Sequence, residues 1–475
     1  SLQNDTKGSS LFTCPLDVSK DDSVANARKF VDENLKHGIK FWAVVANAGV
    51  LACYGPDEWN TIDDFKFAIE INTFGVIRCV QNYLELLLYR VSLPASAPYS
   101  VSKYGVEAYM DCISLWVKVT PIYSGRMLST LLGWFFGLQF TISIPFITFL
   151  VAAYYIYRYY WELETVGDYN KKAVFISGCD SGFGRALAIK CAKAGLTVFA
   201  GCLTKQGEET LASETTGLSL YTCPLDVTKD ESVAEARKFV EKNLKKGIKL
   251  WAVVANAGVF TCYGPDDWCT MEDYKFSVEI NTFGVVRCVQ AFMDLIKENE
   301  GRVVAVSSVA GRVSVPASAP YSVAKYGVEA YIDCVRQETA RWGVKCSLLE
   351  PGAFKTALLD KEAMRKRVDS KYNAMSPAKR EDWGEEFKEW FINNWNNTLH
   401  SFGSTNINIV VNNYFHAVTA KYPRCRYLCG LDAVLFFLPF SLLDARIQDK
   451  VFALLAGGNE VLPNDLKKKF AKKNL

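Results

Sequence analysis

From residue 171 onward, short apolar and β-branched runs alternate with longer stretches whose apolar positions recur at helical spacing. AVFISG, LTVFAGC, LSLYTCPLDV, LWAVVANAG, RVVAVSS and VKCSLLEPG are apolar almost throughout, so they read as strands buried on both faces. Such alternation predicts an α/β fold: a doubly wound parallel sheet with helices on both faces. Farther on, Trp383, Phe387, Trp390, Phe391 and Trp395 recur at helical spacings, and VLFFLPFSLL (434–443) is a compact apolar run beside an expected seventh strand. Core packing is the default for these residues, and the walls of a lipophilic mouth are the alternative.

The same pattern occurs twice. Residues 11–88 match residues 220–297 at constant offset, with CPLDV at 14 and 223 and WAVVANAG at 42 and 251. The register then jumps, and VSLPASAPYS at 91 matches VSVPASAPYS at 313, so the first copy lacks a segment like ENEGRVVAVSSVA. It also has no counterpart of residues 171–210. The first copy therefore reads as a truncated version of the same fold, in which Asn72, Tyr99 and Lys103 persist without a strand, a serine or a glycine turn to serve them.

Between the copies, residues 127–157 contain no charged side chain and are flanked by Arg126 and Arg158. About 20 apolar residues suffice to cross a bilayer core, so this stretch predicts a membrane segment. Pro145 would kink a single span or form the bend of a re-entrant hairpin, and both topologies stay open.

Composition narrows the function classes. Half of the 475 residues are apolar and the formal charge is +3, so no nucleic-acid partner is implied, although the basic end DLKKKFAKKNL could lie on a membrane surface. Of fifteen cysteines, eight are four positions present in both copies, and none clusters like metal ligands, which suggests reduced thiols and no metal. His37, His400 and His416 are isolated, so proton transfer must use another group. The chain begins at Ser1 as a fragment or processed form would, and no signal peptide is legible there.

The first strand of the second copy runs into SGCDSGFG and then a helical pattern. Gly178, Gly182 and Gly184 let the backbone turn sharply and admit a pyrophosphate to the amides at a helix N-terminus. Asp226 in PLDV suits an adenine edge or, equally, a turn cap. Asn256, Ala257 and Gly258 close the fourth strand at the same edge. The second strand ends in Gly201 and Cys202 with Lys205 following, so no acidic side chain there selects between NAD and NADP.

Tyr321 and Lys325 lie four apart, on one helix face. An ammonium one turn away should lower the phenol pKa toward working pH, as a general acid/base requires. Ser308 closes a strand and can hydrogen-bond a substrate oxygen. Asn281, a polar residue in the apolar stretch EINTFGVV, could hold a water in a proton path.

Taken together, these residues make 171–475 resemble the short-chain dehydrogenase/reductase family, with a Rossmann-like fold. The resemblance implies a catalytic tetrad of Asn281, Ser308, Tyr321 and Lys325. It implies a cofactor site of Gly178, Ser181, Gly182, Phe183, Gly184, Asp226, Val227, Asn256, Ala257, Gly258, Tyr321, Lys325, Pro351, Gly352 and Thr356. Ser177 stands where the family usually has threonine, and Ala255 replaces the first asparagine of NNAG. GCDSGFGRALA, FAGCLT and PRCRYLCGLDAVLFFLP resemble more narrowly the branch of retinol dehydrogenases, 17β-hydroxysteroid dehydrogenases and 3-hydroxybutyrate dehydrogenase.

The resulting expectation is an inactive repeat (1–118), a membrane anchor and linker (119–170), a catalytic core (171–360), and a lid with the last strand and tail (361–475). The function expected is hydride transfer between NAD or NADP, with NAD favoured by the resemblance, and a lipophilic alcohol or ketone of retinoid or steroid type. The alternatives are a small hydroxyacid substrate, such as 3-hydroxybutyrate, and a non-catalytic cofactor-binding scaffold. Expected partners are membrane lipid and another copy of the chain in a homo-oligomer. The endoplasmic reticulum is the expected location, with a mitochondrial membrane as the alternative.

Overall fold

The computed structural model describes residues 12–35, 41, 43–50, 57–83, 140–260, 263–356, 359–455 and 461–473. The second half folds around seven strands: β1 (Lys172–Ser177), β2 (Thr197–Cys202), β3 (Leu220–Pro224), β4 (Lys249–Ala255), β5 (Arg302–Val306), β6 (Lys345–Pro351) and β7 (Arg426–Cys429). They form one sheet in the order β3-β2-β1-β4-β5-β6-β7, and every neighbouring pair is parallel. The strand order reverses between β1 and β4, so the connections leaving their C-terminal ends diverge and open a crevice.

The unbroken apolar runs follow from burial on two sides. Ala173 and Phe175 of β1 join a cluster with Val253, Val285 and Phe292 on one face. Val174 and Ile176 join Leu187, Val198 and Tyr414 on the other. Phe175 and Phe292 lie with ring centroids 4.5 Å apart. Fully burying such a side chain contributes roughly 1.5–3 kcal/mol, so both helical layers are held by the same strand.

The helices described in the first copy reproduce those of the second, whereas its described counterparts of β3 and β4 are not strands. Helix Asp21–Asn34 corresponds to helix Asp230–Asn243. Thr61 and Asp64 form a capping box at helix Ile62–Ile69, as Thr270 and Asp273 do at helix Met271–Val278. Each of these helices passes through a π-turn, Glu70–Phe74 or Glu279–Phe283, into helix Gly75–Tyr83 or Gly284–Glu298. Arg78 bonds Asp21, Glu70 and the Val18 carbonyl, while Arg287 bonds Asp230, Glu279 and the Val227 carbonyl. Among the described residues, 12–83 contain helices and no strand. Tyr99 and Lys103 lie outside the described residues.

Residues 127–139 of the charge-free stretch also lie outside the described residues, and helix Phe140–Glu162 begins after them. Among the described residues, no helix is long and apolar enough to cross a membrane. The end of this helix is fastened to the sheet domain: Glu162 pairs with Arg158 and Arg424, and its carbonyl meets His416 Nε2 at 3.0 Å.

Candidate active site

β1 ends at Ser177, and Gly178 follows with φ +72°. A Cβ there would stand 2.8 Å from Ala257 Cα, so only glycine lets the β1 and β4 ends approach this closely. A Cβ on Gly184 would lie 2.3 Å from the Gly178 carbonyl oxygen and 2.4 Å from Asn256 Nδ2. Ser181 precedes helix Gly182–Lys193 without capping it, so no side chain takes up the first amides of the helix. Unclaimed amides at a helix start, beside a glycine with open space around its Cα, fit a pyrophosphate. Phe183 leans edge-on against Phe354, 5.7 Å away, linking this helix to the loop after β6.

The end of β4 is stitched to that of β1. Ser177 Oγ accepts from the Asn256 and Ala257 amides at 3.0 and 3.1 Å, so the serine in place of threonine keeps the required hydroxyl. Asn256 Nδ2 donates to the Ser177 and Gly178 carbonyls, and its Oδ1 accepts from Tyr414. Asp180 holds the end of β2, accepting from the Leu203 and Thr204 amides at 2.9 and 2.8 Å. Lys205 is exposed and faces Glu209.

Asp226 lies beyond the end of β3, and its Oδ1 accepts from the Thr228 amide and hydroxyl at 3.0 and 2.7 Å. Burial opposes its charge, but these bonds and Lys229 hold the carboxyl below its usual range. Turn capping is thus the role its contacts fill. Val227 is buried and gives its carbonyl to Arg287.

Three of the four tetrad positions meet beside β5. Ser308 follows the strand, and its Oγ accepts from the Ala310 amide at 3.2 Å and donates to the Pro351 carbonyl at 3.4 Å. Tyr321 and Lys325 lie on helix Ala319–Thr339, with Lys325 Nζ 5.5 Å from the tyrosine ring centre. Lys325 is buried and donates to the Val306 carbonyl at 3.1 Å. Asn281 is tied into the π-turn: its Oδ1 accepts from the Val259 amide at 2.9 Å, and its Nδ2 donates to the Val259 and Ser277 carbonyls at 3.0 Å. A Cβ on Gly258 would reach within 2.9 Å of Asn281 Oδ1 and 3.5 Å of Lys325 Nζ, which places asparagine, lysine and the NAG turn together.

The electrostatics correct one expectation. Burial pushes the Tyr321 phenol up to about 12, opposed by the Ser308 hydroxyl, and Lys325 does not lower it. Burial also brings Lys325 down to about 8 against the pull of Glu329. In this apolar pocket desolvation outweighs an ammonium held over the ring face and bonded to a carbonyl.

The loop after β6 is fixed by a residue that sequence reasoning missed. Asp432 Oδ2 accepts from the Ala353 amide at 2.7 Å, and a Cβ on Gly352 would fall 2.0 Å from that oxygen. The Pro351 carbonyl accepts from Ser308 at 3.4 Å, and the Thr356 amide donates to the Phe354 carbonyl. Asp180, within GCDSGFG, and Asp432, within CGLD, were visible as lone acids beside glycines. Tyr414, inside helix Asn408–Thr419, carried no such signal.

On the other side of Tyr321, Phe260 packs edge-on at 5.0 Å. It belongs to a cluster with Tyr263, Trp268, Met364, Tyr372, Phe387 and Phe391, against which Trp383, Trp390 and Phe436 pack. The aromatic residues of 383–391 are therefore core, and that core reaches the tyrosine. The side chain of Trp395 lies outside the described residues.

A parallel sheet with a glycine turn at its switch point and a Ser-Tyr-Lys group beside it defines a dinucleotide-binding α/β oxidoreductase. The model of the short chain dehydrogenase family matches residues 1–123 and 172–367, and the chain belongs to that family. It is an NAD(P)-dependent enzyme acting on CH–OH groups. It is 42% identical over 314 residues to the 3β-hydroxysteroid dehydrogenase dhs-16 of Caenorhabditis elegans, covering 65% of this chain and 79% of that protein. It is 40% identical to rat 17-beta-hydroxysteroid dehydrogenase type 6, covering 64% and 95%. With human retinol dehydrogenase 16 it shares 38% identity, covering 64% and 95%.

Proposed function

We propose that the second half catalyses hydride transfer between NAD(P) and a lipophilic alcohol or ketone of steroid or retinoid type. The observation that carries this reading is the aromatic cluster that reaches Tyr321 through Phe260. Where this core meets Tyr321, through Phe260, it would present an apolar ring system with an apolar surface and a polar substrate with few partners. The names of the relatives, which act on steroids and retinol, support the same substrate class.

When bound, the nicotinamide supplies or accepts the hydride. The amides after Gly178, together with Ser181, Gly182, Phe183 and Gly184, would hold the pyrophosphate. Asp226, Val227, Asn256, Ala257 and Gly258 would border the adenine and ribose side, and Pro351, Gly352 and Thr356 the nicotinamide side. Ser308 Oγ positions the substrate oxygen, and Tyr321 Oη takes the hydroxyl proton in oxidation or gives it in reduction. Lys325 contributes positive charge beside the phenol, and Asn281 positions the Val259 segment against it. Burial raises the pKa of the Tyr321 phenol, so positive charge beside it would favour its action as a base.

The charge-free stretch at 127–157, and the exposed Tyr154, Tyr155, Tyr157, Tyr159, Tyr160 and Trp161 on helix 140–162, support anchoring to a membrane. The endoplasmic reticulum is the proposed site and a mitochondrial membrane the alternative. The first copy is proposed to be non-catalytic, because it lacks the glycine turn and the serine strand.

The test is turnover of steroid, retinoid and hydroxyacid substrates with each cofactor, by intact protein and by Tyr321→Phe. We expect steroid or retinoid turnover reduced roughly 10²–10⁴-fold in the variant with cofactor binding kept. Preference for a small hydroxyacid would sink the substrate assignment and would point to Arg367, 5.9 Å from the Phe260 ring centre, as the carboxylate partner.

A further inference from the structure

The first copy touches the second through equivalent positions. Ile62, Phe65, Ile69 and Phe74 share one apolar cluster with Met271, Tyr274, Val278 and Phe283, their counterparts in the repeat. Burial of corresponding residues in one shared cluster resembles the apolar centre of an isologous contact, in which the same patch is used on both sides of a two-fold axis. Here both sides belong to one chain.

Largely buried polar groups extend the contact to helices 284–298 and 319–339. Asp57 Oδ2 accepts from Tyr331 Oη at 3.1 Å, and Gln290 Nε2 donates to the Asp57 carbonyl and Oδ1, both at 3.1 Å. The Asp57 amide donates to Glu338 at 2.9 Å. Phe65 meets Tyr331 edge-on at 6.0 Å, and Lys66 faces Glu279 at 3.8 Å. Away from this contact, the described residues of the first copy form one small cluster of their own, with Val18, Val24 and Cys79 at its centre.

We propose that residues 57–83 are an intramolecular stand-in for a second copy of the catalytic half. They cover, on helices 271–298 and 319–339, the face through which two catalytic halves would pair, so the full chain does not homodimerise through it. The occupant that fits this face once the segment is displaced is a second copy of this chain. It would bring Met271, Tyr274, Val278 and Phe283 to the places now held by Ile62, Phe65, Ile69 and Phe74. This assigns the repeat a role that needs no cofactor or substrate.

Full-length protein in mild detergent tests the proposal. A benzoyl-phenylalanine photo-crosslinker at position 65 should join the peptide bearing Tyr331 within one chain, leaving the mass on a denaturing gel unchanged. A crosslinked dimer at that position would overturn the proposal. Ile69→Asp should free the segment and double the mass found by light scattering, and Ile69→Asp with Val278→Asp should return it to one chain. If Ile69→Asp stays monomeric while still binding cofactor, the catalytic face does not pair and the proposal fails. If a variant does not fold, the crosslink in otherwise unaltered protein decides.

Discussion

Asn256 Nδ2 donates to the Gly178 carbonyl at 3.1 Å, so the residue that closes the fourth strand also sets the turn that closes the first. The same side chain bonds the Ser177 carbonyl, and its oxygen accepts from Tyr414 at 3.0 Å. One amide thus joins three elements at the switch point.

Asn256→Ala leaves those carbonyls and the Tyr414 hydroxyl without this partner in a closed setting. Each such loss costs about 1–3 kcal/mol, so we expect the urea midpoint to fall and cofactor affinity to drop at least about tenfold. Urea unfolding and cofactor fluorescence titration check both. Unchanged affinity would show that the glycine turn holds its shape without the asparagine.

Asp432 acts on the loop after β6 in a similar way. Asp432→Ala removes the acceptor of the Ala353 amide, and the loop loses its register against β7. We expect the Michaelis constant for cofactor to rise roughly tenfold, with a stability loss of about 1–3 kcal/mol. Steady-state kinetics on folded variant separate this from general unfolding, which would lower the active fraction without raising that constant.

Lys325 links function to stability through pH. Its folded pKa, about 8, is depressed from 10.5 by burial, so the favourable contribution of its neutral form is present above 10.5 and lost as pH falls to about 8. At pH 7 the buried ammonium is therefore a cost, on the order of 1–3 kcal/mol. Lys325→Met should abolish turnover while raising the melting temperature at pH 7, and this gain should shrink toward pH 10.5. Thermal melts across that range check the sign. A variant less stable at pH 7 would mean that the Val306 carbonyl bond outweighs the desolvation.

The chain's own sequence determined the sheet, its glycine turn, the repeat and the Ser-Tyr-Lys group, because period and spacing are local properties that survive in a string of letters. Phe175 and Val174 could be read as facing opposite sides, and Tyr321 and Lys325 as sharing a helix face. Tertiary structure decided what lies next to them. Asp432 and Tyr414 are distant in sequence from the loops they fix, and no local pattern encodes such a pairing. The Tyr321 pKa was misjudged because the ammonium was legible and the surrounding burial was not. The repeat was legible as a copy, but its docking onto helices 271–298 and 319–339 depends on which apolar faces meet, and that is settled only when the whole chain packs.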